Sequence, residues 1–175
     1  RILQYRNKHA DIALKQQQLE ALKPVCERHQ TLLIVNDDWR LAAELGIKAV
    51  HLGEDDGDIE EARQALGPGS LIGVSCYASV ERAQALAPVA DYLAFGALFA
   101  SGTKPLARPA PLSVFREVQA LSLARPLVGI GGIDADNIGS VLAAGADAAA
   151  VIGALFRQGD VRAAAQRLVA AAARP

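Results

Sequence analysis

Short apolar runs recur along the chain, and each is followed by a longer stretch in which apolar residues keep a roughly helical spacing. The runs are apolar at successive positions, so both faces of each strand would be buried, as in parallel sheets covered by helices. They predict strands at residues 2–5, 32–35, 49–52, 71–74, 92–95, 127–130 and 148–152. The stretches between them predict helices at residues 11–28, 39–45, 59–66, 79–86, 112–121, 135–143 and 161–172.

The regular alternation of strands and helices predicts an α/β fold with right-handed crossovers. Seven βα units are visible, a number that a doubly wound open sheet could also hold. No Gly-x-Gly-x-x-Gly follows the first strand, so the open dinucleotide-binding sheet lacks its main motif. We therefore predict a (β/α)8 TIM barrel. Residues 1–175 would form one barrel domain whose N-terminal strand and helix are missing, since the chain starts inside a strand without Met or signal peptide.

The composition narrows the class of protein. With 51% hydrophobic residues among 175, the chain can bury the core of one compact domain. Its 18 basic and 19 acidic side chains nearly cancel, which argues against nucleic acid as a partner. No apolar run approaches the roughly 20 residues that cross a bilayer, so no membrane is expected. Two cysteines, Cys26 and Cys76, are too few for a disulfide framework and favour a reducing cytoplasm.

Polar residues alternate at the end of the first predicted strand, where the chemistry of a barrel gathers. Gln4, Arg6 and Lys8 are spaced by two, so their side chains share one direction while the chain stays extended. Two cations beside an amide suit a polyanionic ligand that carries a polar ring. The alternative is that these residues simply lie in solvent at the end of a strand. That explanation suits a single Arg or Lys better than three polar residues at a spacing of two.

Acidic residues follow the second and third predicted strands. Asn36-Asp37-Asp38 precedes a helix, so helix capping is the simple interpretation, although one acidic residue suffices for a cap. Residues 54–56 add three carboxylates after the next strand. Two acidic clusters on adjacent parallel strands must lie close together, and a divalent cation between them would relieve their repulsion. Hard oxygen ligands indicate Mg²⁺.

Glycines mark the ends of the last two predicted strands. Three of them lie within residues 129–132, where they let the backbone approach a ligand closely, and Asp134 can cap the following helix. Ile152 and Gly153 end the final strand. These two loops are the usual phosphate cradle of such barrels, although tight turns alone would also explain the glycines.

Residues 99–111 form the longest connection between a strand and a helix. A long loop of this kind in a barrel is often an active-site lid. Ser101, Thr103 and Lys104 would supply it with two hydroxyls and a cation. A Pro-rich linker remains an alternative for residues 106–111.

Six strand-end segments carry a family resemblance. They are Leu3-Gln4-Tyr5-Arg6-Asn7-Lys8, Ile34-Val35-Asn36-Asp37-Asp38, His51-Leu52-Gly53-Glu54-Asp55-Asp56, Gly73-Val74-Ser75, Thr103-Lys104-Pro105 and Ile130-Gly131-Gly132-Ile133. In order and placement they resemble the thiamine phosphate synthase family along the whole chain. That family joins 4-amino-2-methyl-5-(diphosphooxymethyl)pyrimidine to carboxythiazole phosphate, giving thiamine phosphate, pyrophosphate and CO₂. The resemblance implies a transferase of a pyrimidinylmethyl group that acts by a dissociative, Mg²⁺-assisted substitution.

The resemblance also implies roles for individual residues. Asp37 and Asp56 would ligate Mg²⁺, and Gln4 and Ser75 would meet the pyrimidine. The residues implied to act in catalysis are Arg6, Lys8, Ser75 and Lys104. Those implied to bind the two substrates are Gln4, Tyr5, Arg6, Asn7, Lys8, Asn36, Ser75, Ser101, Gly102, Thr103, Lys104, Gly132, Ile152 and Gly153. The thiazole phosphate would be held by Ser101 and Thr103 and by the backbone of Gly132, Ile152 and Gly153.

Some positions depart from the family pattern, and two other functions stay open. Gly153 stands where the family usually has Ser, Cys76-Tyr77 replaces a commoner Thr-His, and Ser101 is often Thr. A thiazole tautomerase of the same superfamily is the first alternative. It binds no diphosphate, so it would have little use for Arg6, Lys8, Asn36 and the two Mg²⁺ carboxylates. A non-catalytic ligand-sensing domain of a fusion protein is the second alternative. The histidines at 9, 29 and 51 are given no catalytic role, and a homo-oligomer is left open.

Overall fold

The computed structural model describes residues 1–100 and 109–173 of the chain. Within these ranges strands and helices alternate, as the hydrophobic pattern predicts. The strands are β1 (Ile2–Tyr5), β2 (Leu32–Asn36), β3 (Ala49–Leu52), β4 (Leu71–Tyr77), β5 (Tyr92–Phe95), β6 (Leu127–Ile130) and β7 (Ala148–Ala150). The helices are α1 (Ile12–Arg28), α2 (Trp39–Glu44), α3 (Ile59–Leu66), α4 (Val80–Leu86), α5 (Ser113–Ala120), α6 (Ile138–Ala143), α7 (Gly153–Phe156) and α8 (Val161–Ala172).

The chain folds as two compact units, each an α/β unit with parallel strands in chain order. The first comprises Arg1–Ser75 with Val89–Asp91, and in it β1, β2, β3 and β4 pair in sequence. The second comprises Cys76–Pro88 with Tyr92–Pro175, and in it β5 pairs with β6 and β6 with β7. The prediction of an α/β fold with parallel strands is therefore confirmed.

The register of the first unit aligns the carboxyl ends of its strands. Tyr5 lies opposite Val35, and Asn36 lies opposite His51. Leu52 in turn lies opposite Val74. Because parallel strands in register end at the same edge, the polar residues that follow these positions gather at one rim of the unit.

The strands β2, β3, β4 and β5 are largely buried on both faces, which explains their nearly continuous apolar sequence, whereas β1 and β7 are more exposed. In the first unit Val35, Val50 and Ile72 are fully buried. In the second unit the rings of Phe95 on β5 and Phe115 on α5 pack edge to face with centroids 5.6 Å apart. Each unit therefore has its own apolar core beneath its rim.

The observed bounds differ from the predicted ones where polar side chains engage the backbone. The strand β4 continues through Ser75 to Tyr77, whereas β7 ends at Ala150 and the short helix α7 follows it. The helix α6 begins only at Ile138, because Asp134 Oδ1 accepts hydrogen bonds from the N–H groups of residues 136 and 137. These bonds hold the preceding residues in a turn that competes with helix.

The helix α1 packs behind the rim of the first unit and is 17 residues long. Its N-terminus is capped by Asp11, whose Oδ1 accepts from the Leu14 N–H at 2.8 Å. Leu19 and Cys26 are its buried residues. Among the described residues, no helix combines the length and apolar character needed to cross a membrane.

Candidate active site

The side chains of β1 and the loop after it alternate between two environments. Gln4, Arg6 and Lys8 are exposed at the rim. Gln4 Nε2 donates to Asn36 Oδ1 at 3.4 Å, and Lys8 Nζ lies 3.0 Å from Asp37 Oδ2. The structure therefore brings the polar residues after β1 together with those after β2, as their spacing predicts.

Tyr5 and Asn7, the alternate positions of the same segment, contact helix α1. The Tyr5 hydroxyl donates to Gln18 Oε1 at 2.7 Å, and Asn7 Nδ2 donates to the same oxygen at 3.2 Å. Both residues are expected from the family resemblance to bind substrate. Their side chains are engaged with the helix, while the rim positions lie between them.

Asp37 has a backbone conformation that few residues adopt. Its φ of 67° lies in the left-handed region, which aspartate tolerates better than most side chains. Its N–H donates to the His51 carbonyl oxygen at 2.9 Å, and its own carbonyl accepts from the Trp39 N–H at 2.8 Å. These bonds fix Asp37 at the rim instead of at the start of α2.

The carboxyl groups of Asp37 and Asp56 lie within hydrogen-bonding reach of each other. Burial raises the pKa of Asp37 above its ordinary value, and the neighbouring Asp56 raises it further, while Lys8 partly offsets both effects. Asp56 Oδ2 also accepts from the Gly53 N–H at 2.7 Å. Two carboxylates held this close repel each other unless a proton or a cation lies between them.

The oxygen atoms of Asp37 and Asp56 can be compared with what a divalent cation requires of its ligands. No group of three or more His, Cys, Asp or Glu side chains suited to a metal occurs in the described part of the chain. Mg²⁺ commonly takes one or two protein carboxylates and completes its shell with water and substrate phosphates. Asp37 and Asp56 fit that mode of binding, in which the substrate supplies the remaining oxygens.

His51 is the residue of this rim that the sequence interpretation left without a role. It is 9% exposed, and its Nε2 lies 2.9 Å from Ser75 Oγ. Its carbonyl oxygen accepts the Asp37 N–H, so one residue joins the loop after β2 to Ser75 on β4. Its position at the end of β3, between two strands with candidate ligands, is the signal that could have identified it.

The glycine turn after β6 belongs to the second unit. Gly131 and Gly132 have φ values of 103° and 65°, which favour glycine. A Cβ on Gly132 would lie 2.7 Å from the Ala100 carbonyl oxygen, so the turn packs tightly against the segment after β5. Asn137 Nδ2 donates to the Gly132 carbonyl oxygen at 3.0 Å and fixes the turn from the other side.

Ile152 and Gly153 lie where β7 gives way to α7, again in the second unit. Ile152 is 47% exposed, and Gly153 is the first residue of the helix. A Cβ on Gly153 would come no closer than 3.5 Å to Arg157, so the site has room for a larger residue. No steric requirement for glycine explains the departure from the family's serine.

The other departure, Cys76-Tyr77, lies at the end of β4. Cys76 is fully buried, and burial raises the pKa of its thiol to about 12, so the thiol stays protonated and unreactive. Tyr77 has a φ of 57°, and the guanidinium carbon of Arg82 lies 5.9 Å from the centre of its ring. The remaining expected ligands, Ser101, Gly102, Thr103 and Lys104, lie outside the described residues.

A substitution at Gly132 tests how tightly the turn is packed. Gly132→Ala should lower the free energy of unfolding by about 2–4 kcal/mol, because the new Cβ meets backbone in a left-handed conformation. Chemical denaturation measures the change. The matched control is Gly139→Ala in α6, where an added Cβ would meet nothing within 4 Å beyond the neighbouring backbone of its own helix, and a gain of about 0.5–1 kcal/mol is expected. Equal stability of the two variants would contradict the described turn.

Two structural features define the class of this protein. It is built from consecutive parallel βα units, and cationic, amide and carboxylate side chains gather at the carboxyl ends of the strands in its first unit. A tight glycine turn follows β6 in its second unit. The class is that of α/β proteins with ligand-type residues on the loops after their strands.

Comparisons with known proteins identify the family. Residues 1–155 match the family model described as thiamine monophosphate synthase. The chain is 51% identical over 169 residues to the thiamine-phosphate synthase of Chromobacterium violaceum, covering 96% of this chain and 81% of that protein. It is 50% identical over 166 residues to that of Methylobacillus flagellatus, covering 94% and 78%. The thiamine phosphate pyrophosphorylase structure from Pyrococcus furiosus superimposes with a TM-score of 0.87 at 32% identity, covering 98% and 82%. The chain therefore belongs to the thiamine monophosphate synthase family.

Proposed function

We propose that this chain catalyses the formation of thiamine phosphate from 4-amino-2-methyl-5-(diphosphooxymethyl)pyrimidine and carboxythiazole phosphate. Membership of the family supports the overall reaction. The observation that carries the proposal is the convergence of Lys8, Asp37 and Asp56 at one rim. A cation beside two carboxylates suits a diphosphate that arrives with a metal ion, and a ligand with a single phosphate would not need this combination.

The diphosphate is held by residues after β1 and β2. Arg6 and Lys8 are exposed at alternate positions, so both cations are available to a ligand at the rim. The Asn36 side chain accepts a hydrogen bond from Gln4, so its amide lies beside the polar residues that follow β1. Arg6, Lys8 and Asn36 bind the diphosphate oxygens in this proposal, and Lys104 joins them from the segment outside the described residues.

Asp37 and Asp56 hold Mg²⁺ in this proposal. When bound, the ion would neutralise charge that develops on the departing pyrophosphate. The two carboxylates orient the metal-bearing end of the substrate, while Lys8 stabilises the same charge from the β1 side. The left-handed backbone of Asp37 keeps its carboxylate beside Asp56, so the pair is arranged before the ligand binds.

The proposed reaction breaks one bond, to the leaving pyrophosphate, and forms another, to the thiazole nitrogen. The bond between the pyrimidine methylene carbon and the diphosphate oxygen breaks, and its electron pair leaves with pyrophosphate. The thiazole nitrogen gives its lone pair to the methylene carbon. The thiazole carboxyl group then leaves as CO₂, and the ring carbon that carried it takes a proton. Gln4 and Ser75 orient the pyrimidine ring, and the rim cations stabilise the departing charge, so positioning and electrostatics supply the catalysis.

The thiazole phosphate is held by the loops of the second unit. The N–H of Gly132 and those of Ile152 and Gly153 bind its oxygens in this proposal. The hydrogen bond from Asn137 to the Gly132 carbonyl supports the idea, because it fixes the turn that would present the N–H. Ser101 and Thr103, which lie outside the described residues, add hydroxyl donors.

His51 acts in this scheme as a positioning residue. Its Nε2 lies 2.9 Å from Ser75 Oγ and can fix the direction of that hydroxyl toward the pyrimidine. His51→Leu should lower kcat/KM for the pyrimidine diphosphate about tenfold, the loss expected for one buried hydrogen bond. Steady-state kinetics in a Ser75→Ala background provide the control.

Because the proposed role of His51 runs through Ser75, His51→Leu should cause no further loss once Ser75 is alanine. His51→Gln, which can place an amide near the position of Nε2, should recover part of the activity. Additive losses in the double variant, or no loss in His51→Leu alone, would refute the positioning role.

A closed eight-stranded barrel is the complete fold in this proposal. The two relatives from Methylobacillus and Chromobacterium are longer than this chain, which spans 78% and 81% of them. Ile2 on β1 and Leu32 on β2 are exposed apolar residues that a further βα unit could cover. We place the enzyme in the cytoplasm, since Cys26 and Cys76 are both unpaired thiols.

Binding measurements on the full-length protein test the proposed function. Calorimetry should show that the pyrimidine diphosphate binds at least about tenfold more tightly with Mg²⁺ than with EDTA. The carboxythiazole phosphate should bind without the metal. Binding of the thiazole phosphate alone would favour a tautomerase, and binding of both ligands without product would favour a sensing domain.

A further inference from the structure

One face of helix α1 holds the loop after β1 and the loop after β2. Lys15 Nζ lies 2.8 Å from Asp38 Oδ2. Gln18 Oε1 accepts from the Tyr5 hydroxyl and from Asn7 Nδ2. Lys15 and Gln18 are three positions apart, so they lie on the same side of the helix. The first loop carries Arg6 and Lys8, proposed for the diphosphate, and the second carries Asp37, one of the two proposed metal ligands.

Gln18 fixes the alternation of the first loop. It bonds to Tyr5 and Asn7, which are the two positions between the rim residues Gln4, Arg6 and Lys8. Because successive side chains of an extended segment point to opposite sides, holding Tyr5 and Asn7 at the helix keeps Gln4 and Arg6 at the rim, and Lys8 follows in the turn at residues 8 and 9.

The chemistry of Tyr5 favours this arrangement. An ordinary phenol is protonated at neutral pH and can donate, and burial raises the pKa of Tyr5 further in the same direction. Asn7 is restrained further, since its Oδ1 accepts from the His9 N–H at 3.3 Å. Three hydrogen bonds therefore order the segment that carries Arg6 and Lys8, although both of these side chains reach solvent.

Lys15 restrains the second loop through Asp38. Asp38 precedes α2, but its side chain makes no capping hydrogen bond to that helix. Its carboxylate pairs with Lys15, whose side chain is only 17% exposed. Since Asp38 follows Asp37 directly, the ion pair holds the residue next to the left-handed turn that presents the proposed metal ligand.

We propose that Lys15 and Gln18 are positioning residues that set the affinity of this rim for a metal–diphosphate group. Neither side chain needs to touch the ligand. Gln18 orients the cations after β1, and Lys15 orients the carboxylate after β2. The inference rests on the proposed function, because the diphosphate and metal roles of the two loops come from it.

The test uses variants that remove the contacts and variants that keep them. Gln18→Leu should raise KM for the pyrimidine diphosphate about five- to tenfold, as expected when two hydrogen bonds that order a loop are lost. Its kcat and its KM for the thiazole phosphate should stay within about twofold. Gln18→Glu, which retains an acceptor oxygen, should restore the wild-type KM. Gln17→Leu, at an exposed position of the same helix, is the matched control and should change nothing.

Lys15→Met should raise the Mg²⁺ concentration for half-maximal rate about fivefold, and Lys15→Arg should restore it. Calorimetry with Mg²⁺ and inorganic pyrophosphate, which needs no turnover, should show five- to tenfold weaker binding for Gln18→Leu and Lys15→Met. Lower melting temperatures with unchanged pyrophosphate affinity would overturn the inference in favour of a purely structural role. If the wild type bound Mg²⁺–pyrophosphate but made no thiamine phosphate, the proposed function would fail while the positioning role could still be measured.

Discussion

Replacement of Asp37 by asparagine should lower the Mg²⁺-dependent kcat at least about 100-fold and stabilise the metal-free protein at the same time. The rate falls because one of two carboxylates proposed for the metal is lost. The stability rises because the pKa of Asp37 is raised by burial and by Asp56, so its ionised form opposes folding. Asparagine removes that charge and tolerates the left-handed φ of 67° equally well.

The stabilisation of Asp37→Asn relative to the wild type should depend on pH. Above the pKa of the unfolded aspartate, about 4, the wild type carries the penalty of the buried charge, so the variant should be the more stable of the two. Below about pH 4 both forms are neutral at this position, so the gain should disappear. Denaturation in EDTA at pH 7 and pH 3.5 measures this difference in stability.

Asp37→Ala and Asp56→Ala should also lose Mg²⁺-dependent turnover. Wild-type rates in both variants at limiting Mg²⁺ would contradict the metal assignment.

Replacement of Lys8 by methionine should lower kcat/KM for the pyrimidine diphosphate about 100-fold. Lys8 Nζ lies 3.0 Å from Asp37 Oδ2. Its loss would remove a positive charge from the proposed diphosphate site. It also removes the hydrogen bond and the charge attraction of Lys8, both of which lower the pKa of Asp37.

Two controls separate this effect from a general change of charge. Lys8→Arg keeps the cation and should lose less than about tenfold. Lys48→Met removes a lysine whose Nζ donates to the Pro68 carbonyl at the other end of β3, and its kcat/KM should not change. Steady-state kinetics at saturating thiazole phosphate measure all three. An unchanged kcat/KM in Lys8→Met would remove Lys8 from the diphosphate site.

The strands β2 to β5 could be predicted because their burial on both faces requires successive apolar residues in the sequence. Val35, Val50 and Ile72 are fully buried where the apolar runs place them. The bounds of the helices were harder to predict from the sequence. The late start of α6 depends on side chain to backbone bonds of Asp134, and the single turn of α7 is too short to show a helical period.

The rim of the first unit could be predicted in part. A spacing of two placed Gln4 and Lys8 on one side, and the order of the strands placed Asp37 near Asp56. The spacing could not show that Tyr5 and Asn7 bond to one helix residue, because that contact depends on how α1 packs. The contact of His51 with Ser75 could be anticipated only from its place at the end of β3, since a histidine inside an apolar strand is usually a core residue.

We propose that this protein joins two phosphorylated substrates and releases pyrophosphate. The most direct measurement incubates purified full-length protein with both substrates and Mg²⁺ and quantifies thiamine phosphate and pyrophosphate over time. We expect the two products in equal amounts, dependent on both substrates and abolished by EDTA. A folded sample that binds both substrates but yields no thiamine phosphate, or yields it without an equal amount of pyrophosphate, would contradict the account.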